Sequence, residues 1–519
     1  MKKINLFRFI TFLVFGCVLS RAHAFTEIVN RNELRNRLGS LTPSANLSNI
    51  KIAVLDNGFA GFIPGKGMLP DSAELIEGPL KYPQMSAHGL GMAQILWAMT
   101  GQSVNGPKIY LVNTNGFTNF KAAVDFVIAN DVDIVLYSQV WLFGSNFDGK
   151  GFINEVVNKA VDKGIIWINA AGNLGRHVHS GNVYAAAQVF KIKNKIDENN
   201  FTLTLAWNNF GDSELDCAVK DLDFELLDAR DNVVDASRLV QKGQSPDPKD
   251  PTDPRSCYAR ETISAKSLER GDYKIRVFPK STNFGYQDKF KVIITDDRPE
   301  SIEFSDHTVG NEIMPPADNA RVITIGDKSA LSSQGPTIDG RIKPDFLIEK
   351  SQVAFTNGNL TQGSSNAAAM MAGTVAVMKS LNKDLTAKQL LAYAESARQQ
   401  YLIPNGLITP VSVPAWAQRY VPAGGTVRLH PVNGRAIIFM KEHPLDHPRV
   451  SGFHLFMIRE DDIVACTEFL TSCGIYPRTQ DTTIGPPLIE FRSFIKGSNG
   501  STPSYWKSVE TIFSRLPKF

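Results

Sequence analysis

Four short segments, far apart along the chain, carry side chains that could together catalyse acyl transfer. Asp56 follows an apolar run, His88 precedes a stretch with helical spacing, Asn173 ends an Ala-Ala-Gly-Asn segment, and Ser365 opens an alanine-rich stretch. Attack on a carbonyl carbon needs a nucleophile, a base that takes its proton, a carboxylate that orients the base, and donors for the oxyanion. The four segments supply one candidate for each of these roles.

Each segment taken alone also has an ordinary structural interpretation. An Asp in a tight turn commonly caps the local backbone, and an Asn beside a Gly commonly forms a turn. A His before a helix commonly packs or faces solvent. Ser365 could be the N-cap of a buried helix, although a helix N-terminus is also a place where an oxyanion is stabilised. The chain order Asp, His, Ser is a known order of a catalytic triad, so the combination favours catalysis where no single segment does.

The elements that must position these residues alternate between strand and helix from about residue 50. Apolar runs predict strands that are buried on both faces, and stretches with helical spacing lie between them. The predicted strands are 52–55, 109–112, 134–137 and 165–170, and the predicted helices are 89–99, 119–129 and 152–163. This repetition predicts an α/β fold with a doubly wound, mostly parallel sheet. Asp56 and Asn173 follow the first and fourth strands, at the carboxyl ends where sites form in such sheets.

The pattern changes near residue 188. Residues 201–207, 223–227 and 273–277 alternate as strands do, 289–295 is also rich in β-formers, and Gly, Asn and Asp turns separate them. These runs predict an antiparallel β-sandwich inserted into the α/β domain. The predicted division is a signal peptide at 1–24, the first part of the α/β domain at 25–187, the insert at 188–298, the second part at 299–402, and an irregular C-terminal region of unknown role at 403–519.

The first residues predict export. Lys2, Lys3 and Arg8 precede an apolar run at 9–19, and residues 22–24 (Ala-His-Ala) form a small-x-small cleavage site. The apolar run is shorter than the roughly 18 to 20 residues that a membrane span needs, and no other segment of the sequence is long and apolar enough. We therefore expect an exported protein, secreted or periplasmic, without a membrane span.

The cysteines agree with an oxidising compartment, because removal of the signal peptide would leave four of them. Cys217 and Cys257 flank a stretch rich in Pro and Asp, and Cys466 and Cys473 lie close together. The simplest of the three possible connectivities joins 217 to 257 and 466 to 473, and four unpaired thiols are the alternative. There is no CxxC pair, so a structural zinc ion is not expected.

The composition excludes some classes of partner. Apolar residues make up 43% of the chain and charged residues 21%, and the formal net charge is +3, as in a soluble globular protein. There is no long run of like charges, so the sequence predicts neither nucleic-acid binding nor binding to an anionic membrane surface.

Five segments resemble, in order, the signature segments of the subtilisin-like (S8) serine peptidases. They are KIAVLDNGF, SAHGLGMAQIL, INAAGNLGR, LSSQGPTIDGRIKPDF and GSSNAAAMMAG. The resemblance covers roughly 50–187 and 320–402 but not the insert or the flanks. The fourth segment has no catalytic side chain, so its match is independent of the triad. The resemblance implies the subtilisin-like fold and a serine endopeptidase that acts on a protein or peptide substrate.

The resemblance also implies roles for individual residues. Asp56 would orient the imidazole, His88 would be the general base and then the general acid, and Ser365 would attack the carbonyl. Asn173, together with the backbone N–H of Ser365, would bind the oxyanion. Ser138 matches the substrate-binding strand, where residues 138–144 would pair with the substrate backbone by strand addition.

Four positions depart from the family pattern without changing a triad member. Leu90 and Gly91 stand where the family usually has Thr and His, and Asn366 and Ala369 stand where it usually has a Met-like residue and Pro. These changes could alter the shape and rate of the site. Because Leu90 and Gly91 follow it closely, His88 is the catalytic position with the most altered surroundings.

The resemblance implies no cofactor for catalysis. The family often binds calcium, but no complete set of oxygen ligands can be identified, and we expect the acidic cluster Asp216, Asp221 and Asp223 in the insert to be solvated. Two other functions stay open. The chain could be a catalytically weak or inactive subtilisin-like scaffold that acts as a binding protein, or an esterase or other acyl-transfer hydrolase with the same triad.

Overall fold

A computed structural model describes residues 46–394, apart from 67–68, 85, 101–104, 297, 299, 308–309, 349–350, 355–359 and 393, and the backbone of five short strands between 426 and 489. The helices are α1 (His88–Met99), α2 (Phe117–Ala129), α3 (Phe152–Asp162) and α4 (Ser364–Leu381), and residues 387–392 are also helical. The predicted signal peptide lies outside the described residues, as does most of the C-terminal region.

The strands are, in chain order, β1 (Lys51–Asp56), β2 (Glu74–Ile76), β3 (Lys108–Asn113), β4 (Ile134–Tyr137), β5 (Ile166–Ala170), β6 (Val178–Asn182), β7 (Gln188–Asn194), β8 (Asn199–Trp207), β9 (Leu222–Leu227), β10 (Val233–Ser237), β11 (Arg260–Leu268), β12 (Gly271–Pro279), β13 (Lys289–Thr295), β14 (Ile302–Phe304), β15 (Ile323–Asp327), β16 (Phe346–Ile348), β17 (Val353–Ala354), β18 (Leu360–Thr361), β19 (Thr426–Leu429), β20 (Ala436–Met440), β21 (His454–Ile458), β22 (Ile475–Pro477) and β23 (Pro487–Ile489).

The central sheet has the order β2-β3-β1-β4-β5-β15-β16, and all neighbours in this series are parallel. β23 continues the sheet parallel to β16, and β22 pairs antiparallel with β23. The chain passes from β1 to β3 on one side and then to β4 on the other, so the strand order reverses at β1. The carboxyl ends of β1, β4 and β5 therefore meet at one edge, where α/β sheets place their sites.

Both faces of the sheet are covered, which explains the uninterrupted apolar runs in its strands. Ile52 and Val54 of β1 face a core that includes α1 and α4, whereas Ala53 and Leu55 face a core that includes α2 and α3. The predicted doubly wound, mostly parallel sheet is thus confirmed.

Close packing of α1 against α4 brings together the two helices that carry His88 and Ser365. Gly373 of α4 makes this approach possible, because a Cβ atom there would lie 2.5 Å from Met99 Cβ and 2.7 Å from the Leu96 carbonyl oxygen of α1. Any side chain at this position would push the helices apart. A glycine within α4 therefore helps to set the separation of the two catalytic candidates.

The chain leaves the central sheet after β5 and returns to it at β15, and the segment between them forms two antiparallel sheets. One has the order β10-β9-β12-β7-β14 and the other β11-β8-β13-β6. Their facing apolar side chains, among them Phe224 and Ile275 in the first sheet and Leu203 and Phe290 in the second, belong to one core. The predicted insertion of an antiparallel β-sandwich is confirmed, but β6 and β14 extend it beyond the predicted bounds of 188–298, because they pair with β13 and β7.

A disulfide joins Cys217 to Cys257, as predicted from the sequence. Cys466 and Cys473 lie outside the described residues. No helix in the described part of the chain has the length and apolar character that a membrane crossing requires.

We expect the double substitution Cys217→Ser and Cys257→Ser to lower the free energy of unfolding by about 3 to 4 kcal/mol, because the crosslink closes a loop with a sequence separation of 40 in the unfolded chain. Urea unfolding of the oxidised chain, followed by tryptophan fluorescence, measures this change. In the presence of a reductant, the wild type and the double variant should have the same midpoint. Equal midpoints for the oxidised wild type and the variant would contradict the prediction.

Candidate active site

Asp56 and His88 are in direct contact at the carboxyl edge of the sheet. Asp56 is the last residue of β1 and is fully buried, at 0% exposure, and its Oδ2 lies 2.7 Å from His88 Nδ1. Its other oxygen, Oδ1, accepts hydrogen bonds from the Asn57 backbone N–H (2.8 Å) and from Gln139 Nε2 (3.3 Å). The carboxylate thus orients an imidazole whose ring remains 38% exposed at the surface.

The close approach of the backbone at Asp56 and His88 requires a glycine at position 89. A Cβ atom on Gly89 would lie 2.6 Å from Asp56 Cβ and 2.5 Å from the Phe59 ring, and the Gly89 N–H donates to the Gly58 carbonyl oxygen at 3.0 Å. The glycine therefore allows the start of α1 to lie directly against the end of β1. Leu90, one of the departures from the family pattern, is buried in the core.

The surroundings of His88 change its pKa in opposing directions. Burial acts to lower the pKa, whereas the negative charge of Asp56 and the hydrogen bond to it act to raise it. The net effect raises the pKa above the ordinary value of 6.5. A raised pKa makes the neutral imidazole a better proton acceptor, which suits a general base.

Ser365 lies in the first turn of α4, and its hydroxyl contacts the end of β4. Its Oγ donates to the Ser138 carbonyl oxygen at 3.1 Å. The hydroxyl proton is therefore directed at Ser138 and not at His88 Nε2, so the nucleophile–base hydrogen bond expected of a triad is not made in this conformation. The carbonyl oxygen is a competing acceptor, and a rotation of the Ser365 side chain would have to release it.

Ser364 hydrogen-bonds to the oxygen of the Asn173 side-chain amide, which leaves the amide nitrogen available as a donor. Asn173 Oδ1 accepts from both the N–H and the hydroxyl of Ser364, each at 3.0 Å. The Ser364 hydroxyl in turn accepts from the Gly172 N–H at 3.1 Å. Ser364 Oγ thus fastens the start of α4 to this loop, and Asn173 Nδ2 is left as the donor on an exposed side chain.

The family segment without a catalytic side chain supports this same loop. The Ser333 N–H donates to the Gly172 carbonyl oxygen at 2.9 Å, and Ser333 Oγ accepts from the Leu174 N–H at 3.0 Å. Further along, the buried Lys343 bonds Asp345 Oδ2 at 2.6 Å. The segment could be recognised from the sequence, but its hydrogen bonds to the residues on either side of Asn173 could not be predicted.

Asn366, which stands where the family usually has a Met-like residue, has a structural role here. Its Nδ2 donates to the carbonyl oxygens of Ser351 and Thr361, at 3.0 and 3.1 Å. These bonds fix the first turn of α4 against the segments that precede it. Asn366 thus contributes hydrogen bonds beside Ser365 at a position that departs from the family pattern.

The acidic cluster in the insert differs from the expectation that it is solvated. Asp221 and Asp223 are only 8% and 3% exposed, whereas Asp216 is exposed. Burial and the neighbouring charge of Asp221 raise the pKa of Asp223 to about 6. Among the described residues no three His, Cys, Asp or Glu side chains are arranged to hold a metal ion.

The matches to known proteins include one family model and two solved structures of low similarity. The model of the subtilase family (peptidase S8) matches residues 48–407. A comparison with curated protein sequences gives no match. Among solved structures, the CspB protease of Clostridium perfringens is 16% identical with a TM-score of 0.45, over 71% of this chain and 91% of that one. A cold-adapted subtilisin-like serine proteinase is 11% identical with a TM-score of 0.29, over 68% and 84% of the two chains.

The family model spans more than half of the 519 residues and includes all five segments on which the resemblance was based. The chain therefore belongs to the subtilase family of serine peptidases.

Proposed function

We propose that this subtilase is an exported serine endopeptidase that cleaves peptide bonds with Ser365 as nucleophile, His88 as general base and acid, and Asp56 as the orienting carboxylate. The observation that carries the proposal is the 2.7 Å contact between His88 Nδ1 and the buried Asp56, at the sheet edge that also receives the start of α4. With Nδ1–H donating to Asp56, His88 Nε2 is the unprotonated nitrogen that can accept a proton.

In the first half of the reaction, the Ser365 hydroxyl leaves the Ser138 carbonyl oxygen and gives its proton to His88 Nε2. Oγ forms a bond to the carbonyl carbon of the substrate, and the carbonyl electron pair moves to the oxygen. The imidazolium is stabilised by Asp56 and then protonates the leaving amine as the C–N bond breaks. Water repeats these steps on the acyl-enzyme and releases the new carboxylate.

The oxyanion of the tetrahedral intermediate would be bound by Asn173 Nδ2 and the backbone N–H of Ser365. Asn173 Oδ1 is occupied by Ser364, which supports an orientation with Nδ2 available as donor. The N-terminal end of α4 adds a favourable dipole at the same place. The donors are fixed before the charge develops, which is the condition for effective stabilisation.

The substrate backbone would pair with the segment after β4, in which Ser138 is the first residue. The Trp141 N–H already donates to the Pro315 carbonyl oxygen at 2.7 Å and cannot bind a substrate strand at the same time. Strand addition along 138–144 is therefore confined to the other backbone groups of this segment.

The proposal of export rests on the predicted signal peptide and is supported by the Cys217–Cys257 disulfide. Disulfides persist in oxidising compartments and are rare in the cytosol. No metal ion or cofactor takes part in the proposed steps. A periplasmic or secreted fraction that contains the processed chain, beginning at Phe25, would support this part of the proposal, and an unprocessed chain in the cytosol would refute it.

A non-catalytic binding scaffold is the second candidate, and one observation favours it. The Ser365 hydroxyl is hydrogen-bonded to Ser138 and not to His88, as it would be in a chain that binds peptides without cleaving them. Catalytic hydrogen bonds often tighten only when substrate binds, so this conformation is also compatible with an enzyme. Hydrolysis of an unfolded protein by the wild type, stopped by a fluorophosphonate, separates the two functions.

We expect Asn173→Asp to lower kcat for a peptide substrate by about 10²- to 10³-fold with little change in KM, because it replaces an oxyanion donor by a negatively charged oxygen. The carboxylate keeps an acceptor for Ser364, so the start of α4 stays in place. Initial rates over a range of substrate concentrations measure both constants. Asn182→Asp, the same change on an exposed residue of the sandwich, is the matched control and should leave both constants unchanged. A raised KM with unchanged kcat would contradict the prediction.

A further inference from the structure

The residues that follow β4 contact the proposed triad at both ends. The Ser138 carbonyl oxygen holds the hydroxyl of Ser365, and Gln139 Nε2 lies 3.3 Å from Asp56 Oδ1. We infer that Gln139 is a positioning residue: its side-chain amide fixes the Asp56 carboxylate so that Oδ2 faces His88, and it limits how strongly the carboxylate attracts the imidazole proton. The kinetic consequences of this inference rest on the proposed function.

Asp56 needs donors on the oxygen that does not face His88. The residue is fully buried, and a buried carboxylate oxygen without a hydrogen bond is strongly destabilising. Two donors meet Oδ1, the Asn57 backbone N–H and Gln139 Nε2. Since both lie on Oδ1, the two oxygens are not equivalent, and Oδ2 is reserved for His88.

The backbone of Gln139 is hydrogen-bonded to a buried side chain of the neighbouring strand. The Asn169 Nδ2 group donates to the Gln139 carbonyl oxygen at 3.0 Å, and Asn169 Oδ1 accepts from Trp167 Nε1 at 3.1 Å. Asn169 and Trp167 are both fully buried and lie on β5, the neighbour of β4. A continuous series of polar contacts therefore leads from the core of the sheet through Gln139 to Asp56 and His88.

Substitutions that remove or keep a hydrogen-bond donor at position 139 distinguish positioning from simple packing. Gln139 is partly buried, so an apolar residue of similar size could fill the same space. Such a residue would leave Asp56 Oδ1 with one donor fewer, whereas a glutamate this close to the Asp56 carboxylate would be held protonated and could still donate to Oδ1. The Asp56 charge also acts on Tyr137, whose pKa is raised by burial and by that charge, so Tyr137 stays protonated throughout.

The experiment compares the pH dependence of peptide hydrolysis by the full chain with that of Gln139→Met and Gln139→Glu. We expect Gln139→Met to lower kcat about tenfold with KM within about twofold of the wild type, because the carboxylate is less well oriented. We also expect Gln139→Met to move the acid limb of kcat/KM upward by about 0.5 pH unit, because a carboxylate with one donor fewer attracts the imidazole proton more strongly, whereas Gln139→Glu should keep the wild-type acid limb because its protonated carboxyl still donates to Asp56 Oδ1. If Gln139→Met keeps the wild-type kcat and the wild-type acid limb, the inference is wrong.

A second readout does not require catalysis. In the Ser365→Ala background, NMR titration of ring-labelled histidines gives the pKa of His88, and the resonance is assigned by its loss in His88→Gln. Gln139→Met should raise this pKa, because Asp56 Oδ1 loses a donor, and should leave the pKa values of the other histidines unchanged. An unchanged His88 pKa would overturn the inference even if the wild type is active, whereas a raised pKa in a chain that hydrolyses nothing would support the inference and refute the proposed function.

Discussion

Ser365→Ala is expected to lower kcat/KM for peptide hydrolysis by about 10⁵- to 10⁶-fold, because it removes the atom that forms the acyl-enzyme. The remaining activity would come from the oxyanion donors and from substrate binding alone. The substitution deletes one hydroxyl whose only described hydrogen bond is to the Ser138 carbonyl oxygen, so the fold should be retained. Initial rates with a chromogenic peptide, together with thermal unfolding of both chains, measure the two effects.

Ser364→Ala is the matched control, since it removes the neighbouring hydroxyl. Ser364 Oγ is bonded to Gly172 and Asn173, so its loss should loosen the oxyanion loop and lower kcat by about 10- to 100-fold. The variant should still react covalently at Ser365. A Ser365→Ala chain that keeps more than a small fraction of the activity, or a Ser364→Ala chain that cannot be acylated, would contradict the assignment of the nucleophile.

Asp56→Asn is expected to lower kcat by about 10⁴-fold. The asparagine amide can donate to His88 Nδ1, which would place the imidazole proton on Nε2 and prevent that nitrogen from accepting the serine proton. The change also removes the charge that raises the pKa of His88. Because the neutral imidazole is the active form, wild-type activity should rise with pH around a midpoint above 6.5, and the midpoint for Asp56→Asn should lie lower.

The matched control for this variant is Asp133→Asn. Asp133 precedes β4 and accepts a hydrogen bond from the Lys51 N–H at 2.9 Å, at the end of β1 opposite to Asp56. Asp133→Asn therefore removes a carboxylate that contacts β1 but not His88. We expect the kcat of this variant to equal that of the wild type. Equal losses in the two variants, or a common midpoint of the acid limb in Asp56→Asn and the wild type, would show that Asp56 does not orient His88.

The central sheet could be predicted from the sequence because its inner strands are buried on both faces. Uninterrupted apolar runs indicated strands 52–55 and 134–137, close to the observed β1 and β4. β2, by contrast, is a three-residue strand at the edge of the sheet, with one exposed and two half-buried residues, and so carries no such run. Short edge strands depend on the strand beside them, and a pattern of hydrophobicity does not contain that information.

The residues of the candidate site could be proposed from the sequence, but the contacts among them could not be predicted. Asp56 and His88 could be recognised because a strand end and a helix start carry their own local signals. The contact of Gln139 with Asp56 joins residues 83 positions apart and depends on the register of β1 against β4. The orientation of the Ser365 hydroxyl depends on a competing carbonyl oxygen that only the folded chain brings near.

The most direct test of the proposed triad is to locate the residue that a fluorophosphonate modifies in the folded, full-length chain. Intact mass and peptide mapping should show one adduct per chain, on Ser365, and the adduct should be absent from His88→Ala because the serine is then not activated. The absence of any adduct in the folded wild type at alkaline pH, or an adduct on Ser364 in place of Ser365, would contradict the proposed triad.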